Sequence, residues 1–197
     1  MGPRDFDPVA LGNAECDAWV AYYRHEWRPF LRAAVQMVRL GFGMPWPRTV
    51  QGAWYVLRAN QVWAPYPDND PDRAREYMRR FYALVLRHDG LSLDPAEASR
   101  REVEWWRIHR IHQREAKLSE DDLADALVAL YSYVYSVDGQ TVRTAAVHRV
   151  VAMRHSDAWV EAGCALPDPL VEQERAELIA SYTTLRRAVG QPNSPST

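Results

Sequence analysis

An aspartate is followed directly by a proline at Asp70-Pro71, Asp94-Pro95 and Asp168-Pro169. The aspartate side chain can accept hydrogen bonds from the free N–H groups at a helix start, and proline is favoured at the first helical position. Each pair therefore predicts the start of a helix. Ser119, with Asp122 three residues later, has the spacing of a capping box and predicts a fourth start.

Apolar residues recur at helical spacing between these points, and no segment shows the alternation with turn residues that is typical of strands. Helices are predicted at about 71–89, 95–117, 120–137, 141–162 and 169–189, after a shorter one through Trp54. The first long helix is predicted from Asn13 to Leu40, with a kink near Pro29 because proline removes a backbone donor. The predicted fold is an all-α bundle of about seven helices, largely antiparallel because the connections are short.

Length and charge restrict the class of protein further. With 197 residues, 47% of them hydrophobic, residues 1–190 are predicted to form one helical domain and the polar residues 191–197 a disordered tail. The net charge of −2, with acidic and basic residues interspersed, gives no reason to expect nucleic acid as a partner. No apolar run predicts a membrane partner, and the distant Cys16 and Cys164 form no disulfide framework. A cytoplasmic location is therefore predicted.

The segment 102–115 contains the densest group of residues that could carry chemistry. With its arginines on the solvent side of a helix, the opposite side would carry Glu104, His112 and Glu115. Inward carboxylates and imidazoles hold metal ions in helical bundles, so a metal site is one interpretation. The residues that could complete such a site come from the helix predicted at 141–162: His148, His155 and Asp157.

The alternative to a metal site is a structural network. In it the two glutamates pair with arginines of neighbouring helices, Arg149 being the first choice, and His112 joins a buried polar cluster. The sequence favours this interpretation, because helical metal centres use two Glu-x-x-His pairs, whereas this chain has the reverse order, His-x-x-Glu, once only. A metal ion is therefore a possible cofactor that the pattern does not require.

Aromatic side chains are frequent, with 8 Trp and 10 Tyr. Both types combine apolar area with a polar group, and both are enriched at interfaces and in ligand pockets. Tyrosines at alternate positions on one helix cannot all face the same way, so at least one should meet solvent, a partner or a second layer. The candidate aromatic face comprises Trp105, Tyr131, Tyr133, Tyr135 and Trp159.

Two functional classes stay open, because no nucleotide-binding glycine loop, nucleophile elbow or zinc-protease helix occurs in the sequence. The first class is a helical binding module that uses an aromatic-rich face for a partner protein, for self-association or for a small apolar ligand. The alternative is a metal-dependent helical-bundle oxidoreductase acting on a small apolar substrate. The sequence specifies neither the ligand nor whether the chain is an enzyme.

Overall fold

The computed structural model describes residues 3–89, 93–115 and 117–190. These residues form eight helices and no strand, and none of the helices is long and apolar enough to cross a membrane. The predicted tail, 191–197, lies outside the described residues. The helices are α1 Pro8–Tyr23, α2 Trp27–Phe42, α3 Trp46–Trp63, α4 Pro71–Asp89, α5 Pro95–Glu115, α6 Glu120–Tyr135, α7 Gly139–Glu161 and α8 Pro169–Gly190.

The hydrogen bonds at the helix caps confirm all four predicted starts. The carboxylates of Asp70, Asp94 and Asp168 each accept a backbone N–H of the first turn, at 2.9, 2.9 and 2.8 Å. Ser119 and Asp122 form the reciprocal capping box of α6. Local chemistry therefore sets where α4, α5, α6 and α8 begin.

The single first helix predicted from Asn13 to Leu40 is wrong at its start and in its middle. The first helix, α1, begins earlier, at Pro8 behind the cap of Asp7, and it ends at Tyr23, before α2 starts at Trp27. Pro29 lies in the first turn of α2, where its ring cannot share a helix with the carbonyl of His25, four residues earlier. His25 adopts the left-handed conformation, with φ 55°. The expected kink is thus a complete break, and it makes eight helices where about seven were predicted.

The helices pack in the order of the chain, each on the next, and α8 packs on α1, so the contacts close a ring. Hydrogen bonds from Arg186 to Asp5 and from Arg175 to Asp17 join α8 to the α1 region. The main hydrophobic core draws buried residues from all eight helices. A smaller core, centred on Trp159, takes its members from α1, α7 and α8 and from the residues beside them.

Candidate functional site

A cavity of about 230 Å³ lies within the ring, and every helix contributes residues to its lining. Most of the wall is apolar, with Phe30, Phe81 and Leu127 among its members. Because the helices close on themselves, side chains distant in sequence meet around one space. The polar side chains of the lining are Glu15, Asn60, Tyr82, Glu102, Tyr131, Tyr135, Arg149 and Tyr182.

Arg149 and Glu15 form an ion pair across the cavity wall, between α7 and α1. Glu15 is 1% exposed and Arg149 is 9% exposed, so both charges are withdrawn from water. Tyr182 donates to the second oxygen of Glu15, and the Tyr131 hydroxyl accepts from Nη1 of Arg149 at 3.3 Å. These contacts offset the cost of burying two charges, which is large for an unpaired ion.

The Arg149 guanidinium also stacks on aromatic rings. Its central carbon lies 5.7 Å from the ring centre of Trp19 and 5.5 Å from that of Trp105. Burial lowers the pKa of Arg149, but the interactions with Glu15, Tyr131 and Tyr182 together outweigh it, and the pKa lies well above its ordinary value. The Nε of Arg149 has no hydrogen-bond partner among the described residues, so one donor of the guanidinium stays unused.

Glu102 is the second carboxylate of the cavity. It accepts the hydroxyl of Tyr82 at 2.7 Å and the indole N–H groups of Trp105 and Trp106 at 3.1 and 3.2 Å. Burial raises the pKa of Glu102, while the hydrogen bond from Tyr82 and the charge of Arg149 act in the opposite direction. Glu102 is therefore held in place by three neutral donors and has no cation as a direct partner among the described residues.

A second cavity, of about 80 Å³, adjoins the first and shares part of its wall. Its other residues include Arg110, which donates to the Tyr22 hydroxyl at 3.0 Å, and His109. Polar side chains from α1 and α5 thus bridge this end of the bundle. The residues common to both cavities are Trp19, Phe30, Asn60, Trp105 and Trp106.

The structure does not bring the predicted metal residues of α5 together. Glu104 binds Arg107 of its own helix at 2.8 Å, and Glu115 binds Lys117 at 2.7 Å. The Nδ1 atom of His112 lies 2.7 Å from the backbone oxygen of Leu118. All three side chains therefore have local partners, and neither glutamate uses Arg149.

The predicted metal residues of α7 also lie apart. His148 binds Glu177 of α8 at 2.7 Å, and Asp157 binds His109 at 3.1 Å and Gln113 at 2.7 Å. His155 is half-buried. Over the described ranges, no group of three or more His, Cys, Asp or Glu side chains is placed to hold a metal ion.

Three of the five residues of the predicted aromatic face meet at the cavity: Trp105, Tyr131 and Tyr135. Tyr133 lies elsewhere, with its hydroxyl 2.8 Å from the backbone nitrogen of Asp94. Trp159 is fully buried in the smaller core. The tyrosines of α6 are thus divided between the cavity and a second contact, as their alternate spacing predicts.

Sequence reasoning missed Glu15 and Glu102 as site residues. The inward positions of α5 are Glu102, Trp105, Trp106, His109 and Gln113, which follow the helical period. Placing the arginines of the segment 102–115 toward solvent turned the predicted face away from Glu102. One of them, Arg110, is instead half-buried and donates to the Tyr22 hydroxyl. The pair of adjacent tryptophans was the signal that could have fixed the correct face.

Residues 27–67 contain five arginines and no aspartate or glutamate, in a chain whose net charge is −2. On α3 in this segment, Trp46, Val50 and Trp54 are 58, 51 and 50% exposed, at successive intervals of four residues. The guanidinium carbons of Arg39 and Arg58 lie 4.6 and 6.0 Å from the ring centres of Trp46 and Trp54. We call these three exposed residues the α3 stripe.

Comparison with known proteins gives no further guide to the site. No protein-family model, curated protein or solved structure matches this chain. The cavity and the α3 stripe are therefore interpreted from their own geometry.

Proposed function

We propose that this chain binds a small, largely apolar molecule in the central cavity. The observation that carries the proposal is a largely apolar space of about 230 Å³ in which Glu15, Glu102 and Arg149 are held by hydrogen bonds. Ligand pockets combine these features: apolar walls and a small number of placed polar groups. Because an engineered cavity of about 150 Å³ binds benzene, the ligand should be a little larger than benzene.

The size of the space favours a role in binding. Side chains that line a space of about 230 Å³ lack, on that side, the close contacts of a packed core. A ligand that fills the space would supply those contacts.

A ring whose helices alternate in direction suits this role, because it surrounds the space with short connections. We infer that neighbouring helices run largely antiparallel. Two contacts between α7 and α8 support the inference: Ser181 binds the backbone oxygen of Ala145, and Glu177 binds His148. Residue numbers rise along one helix as they fall along the other.

The experiment is a calorimetric titration with 2-phenylethanol, a neutral probe slightly larger than benzene. The wild-type chain should bind the probe. Ala34→Leu, which adds a side chain to the lining, should weaken binding by tenfold or more. Gln36→Leu, on the exposed side of the same helix, is the matched control and should leave the affinity unchanged. Equal binding by the Ala34 variant would place the probe outside the cavity.

A second candidate function, docking of a partner protein, is favoured by the α3 stripe. Exposed tryptophans stacked by arginine are typical of the residues that dominate binding energy at protein interfaces. The five arginines of residues 27–67 form no salt bridge with any carboxylate of the described chain, so their charge is available. The partner that fits is an amphipathic helix with an apolar stripe flanked by aspartate and glutamate.

Docking is tested with a synthetic peptide of that kind, titrated at two salt concentrations. Binding should weaken at higher salt, and the double variant Trp46→Ser/Trp54→Ser should abolish it. Val147→Ser, at an exposed valine of α7, is the control. If the double variant still binds the peptide, docking at the α3 stripe is contradicted. If the wild-type chain forms a dimer by itself and the double variant is a monomer, the partner is a second copy of the chain and not an acidic helix.

A further inference from the structure

The charges of the cavity lining are unequal. Among the residues that line it, Glu15 and Glu102 are acids and Arg149 is the single base. The other titratable groups of the lining are tyrosines, which are neutral near pH 7. With both carboxylates ionised, the site carries one more negative than positive charge.

The two carboxylates are not equivalent. Glu15 has the positive charge of Arg149 as its direct partner and a further hydrogen bond from Tyr182. Glu102 has only neutral donors, Tyr82 and the two adjacent tryptophans of α5. An ionised Glu102 therefore has no direct positive partner in the lining, and burial without one raises the pKa of its carboxyl.

The surroundings of Glu102 suit a cation that carries an apolar body. Trp105 and Trp106, which hold the carboxylate, line the cavity together with Phe30 and Phe81. Aromatic faces attract cations through the ring quadrupole, and Arg149 already lies over Trp19 and Trp105 in this way. An amine bound by Glu102 would place its charge beside the carboxylate and its apolar body against the aromatic rings of the lining.

We propose that the cavity selects small aromatic or aliphatic amines, with the protonated amine bound by Glu102 and the apolar body enclosed by the ring of helices. This inference rests on the proposed function, since it names the chemical class of the cavity ligand. The Arg149–Glu15 pair then keeps the remaining charge of the lining balanced, and the amine completes the neutrality of the site.

The test compares three probes of similar size and shape: 2-phenylethylamine, which is protonated at neutral pH, 2-phenylethanol and phenylacetate. The wild-type chain should bind the amine about tenfold to a hundredfold more tightly than the alcohol, because a hydrogen bond to a charged group is stronger than a neutral one. Phenylacetate should bind most weakly. Binding of the alcohol with no preference for the amine would overturn this inference while leaving the proposed function intact.

Glu102→Gln should remove most of the preference for the amine and change the affinity for the alcohol less than about twofold. Glu104→Gln, on the same helix but bound to Arg107, is the matched control and should keep the preference. If the Glu102 variant does not fold, the order of the three probes on the wild-type chain decides alone. Tightest binding of phenylacetate would assign the site to anions, and no binding of any probe would overturn both proposals.

Discussion

The central cavity and the smaller core bury carboxylates in opposite ways. In the cavity, Glu15 and Glu102 accept hydrogen bonds from side chains of other helices and from adjacent tryptophans. In the smaller region between α1, α7 and α8, Glu174 is 0% exposed and neither of its oxygens has a hydrogen-bond partner among the described residues. The carboxylates of the cavity thus have hydrogen-bond donors around them, whereas the carboxyl group of Glu174 is buried without one among the described residues.

The pKa of Glu174 reflects that environment. Burial, followed by the negative charge of Glu15, raises the pKa of Glu174 from 4.5 to about 9. Glu174 is therefore protonated in the folded chain at neutral pH and ionised in the unfolded chain. A buried carboxyl of this kind lowers stability, which separates it from the partnered carboxylates of the cavity.

The contact between α1 and α8 differs from the cavity in free space. A Cβ atom added at Gly12 of α1 would lie 2.9 Å from the backbone nitrogen and 3.0 Å from the Cα of Ile179 in α8. At Gly41, which lines the cavity, the nearest atom would be 3.9 Å away, on the side chain of Leu11. The helices approach as closely as glycine allows on one side and leave room on the other.

The largest effect is expected from Arg149→Met, which leaves Glu15 buried without its positive partner. The free energy of unfolding, measured in urea, should fall by about 3 to 5 kcal/mol. Adding Glu15→Gln should restore part of the loss, since the unpaired charge is removed. A loss below about 1 kcal/mol for the single variant would show that the pair is not withdrawn from water.

Glu174→Gln should act in the opposite direction. Between pH 5 and 9 the unfolded wild-type chain releases a proton that the folded chain keeps, so wild-type stability falls with rising pH by up to about 1.4 kcal/mol per unit. From pH 6 to 8, the stability of the variant relative to the wild type should rise by about 3 kcal/mol. Parallel stability curves for the two proteins would mean that Glu174 is ionised in the folded state.

Two matched glycine substitutions test the difference in packing between the α1–α8 contact and the cavity. Gly12→Ala should lower the free energy of unfolding by about 1 to 3 kcal/mol, because the added carbon meets backbone that cannot move aside. Gly41→Ala should raise it by about 0.5 to 1 kcal/mol, because alanine favours the helix and the cavity accepts the methyl group. Equal effects of the two changes, measured by thermal unfolding, would remove the contrast in packing.

The smallest effect is expected from Glu104→Gln. The ion pair with Arg107 is a partly exposed pair within one helix, and the loss should stay below about 0.5 kcal/mol. Chemical denaturation measures it beside Glu102→Gln, whose buried partners predict a loss of more than about 1 kcal/mol. Similar losses for the two variants would contradict the assignment of Glu102, and not Glu104, to the interior.

The starts of α4, α5, α6 and α8 could be predicted from sequence because their causes are local, whereas the same signal at Asp7-Pro8, which begins α1, was missed. Asp70, Asp94 and Asp168 act within one helical turn. The break before α2 also has a local cause, because the clash of Pro29 with the carbonyl of residue 25 ends a helix and does not only kink it. The site could not be predicted in the same way. Glu15 and Arg149 are 134 residues apart, and only closure of the ring brings them together.

The face of α5 is the intermediate case. Charge alone placed Glu104 inward, although the helical period through Trp105 and Trp106 is consistent with Glu102 at that position. The error arose because Arg110 is half-buried, with its guanidinium donating to a tyrosine of α1. An arginine on an amphipathic helix is not by itself a marker of the solvent face.

The most direct test of ligand binding in the cavity is an NMR measurement of contacts between 2-phenylethanol and the methyl groups of the chain. We predict intermolecular nuclear Overhauser effects from the probe to Val38, Leu127 and Leu130, which line the cavity. Leu178 and Val171, which belong to the smaller core, should show none. Contacts confined to the exposed Val50 of the α3 stripe, or equal contacts in the two cores, would contradict binding of the probe in the central cavity.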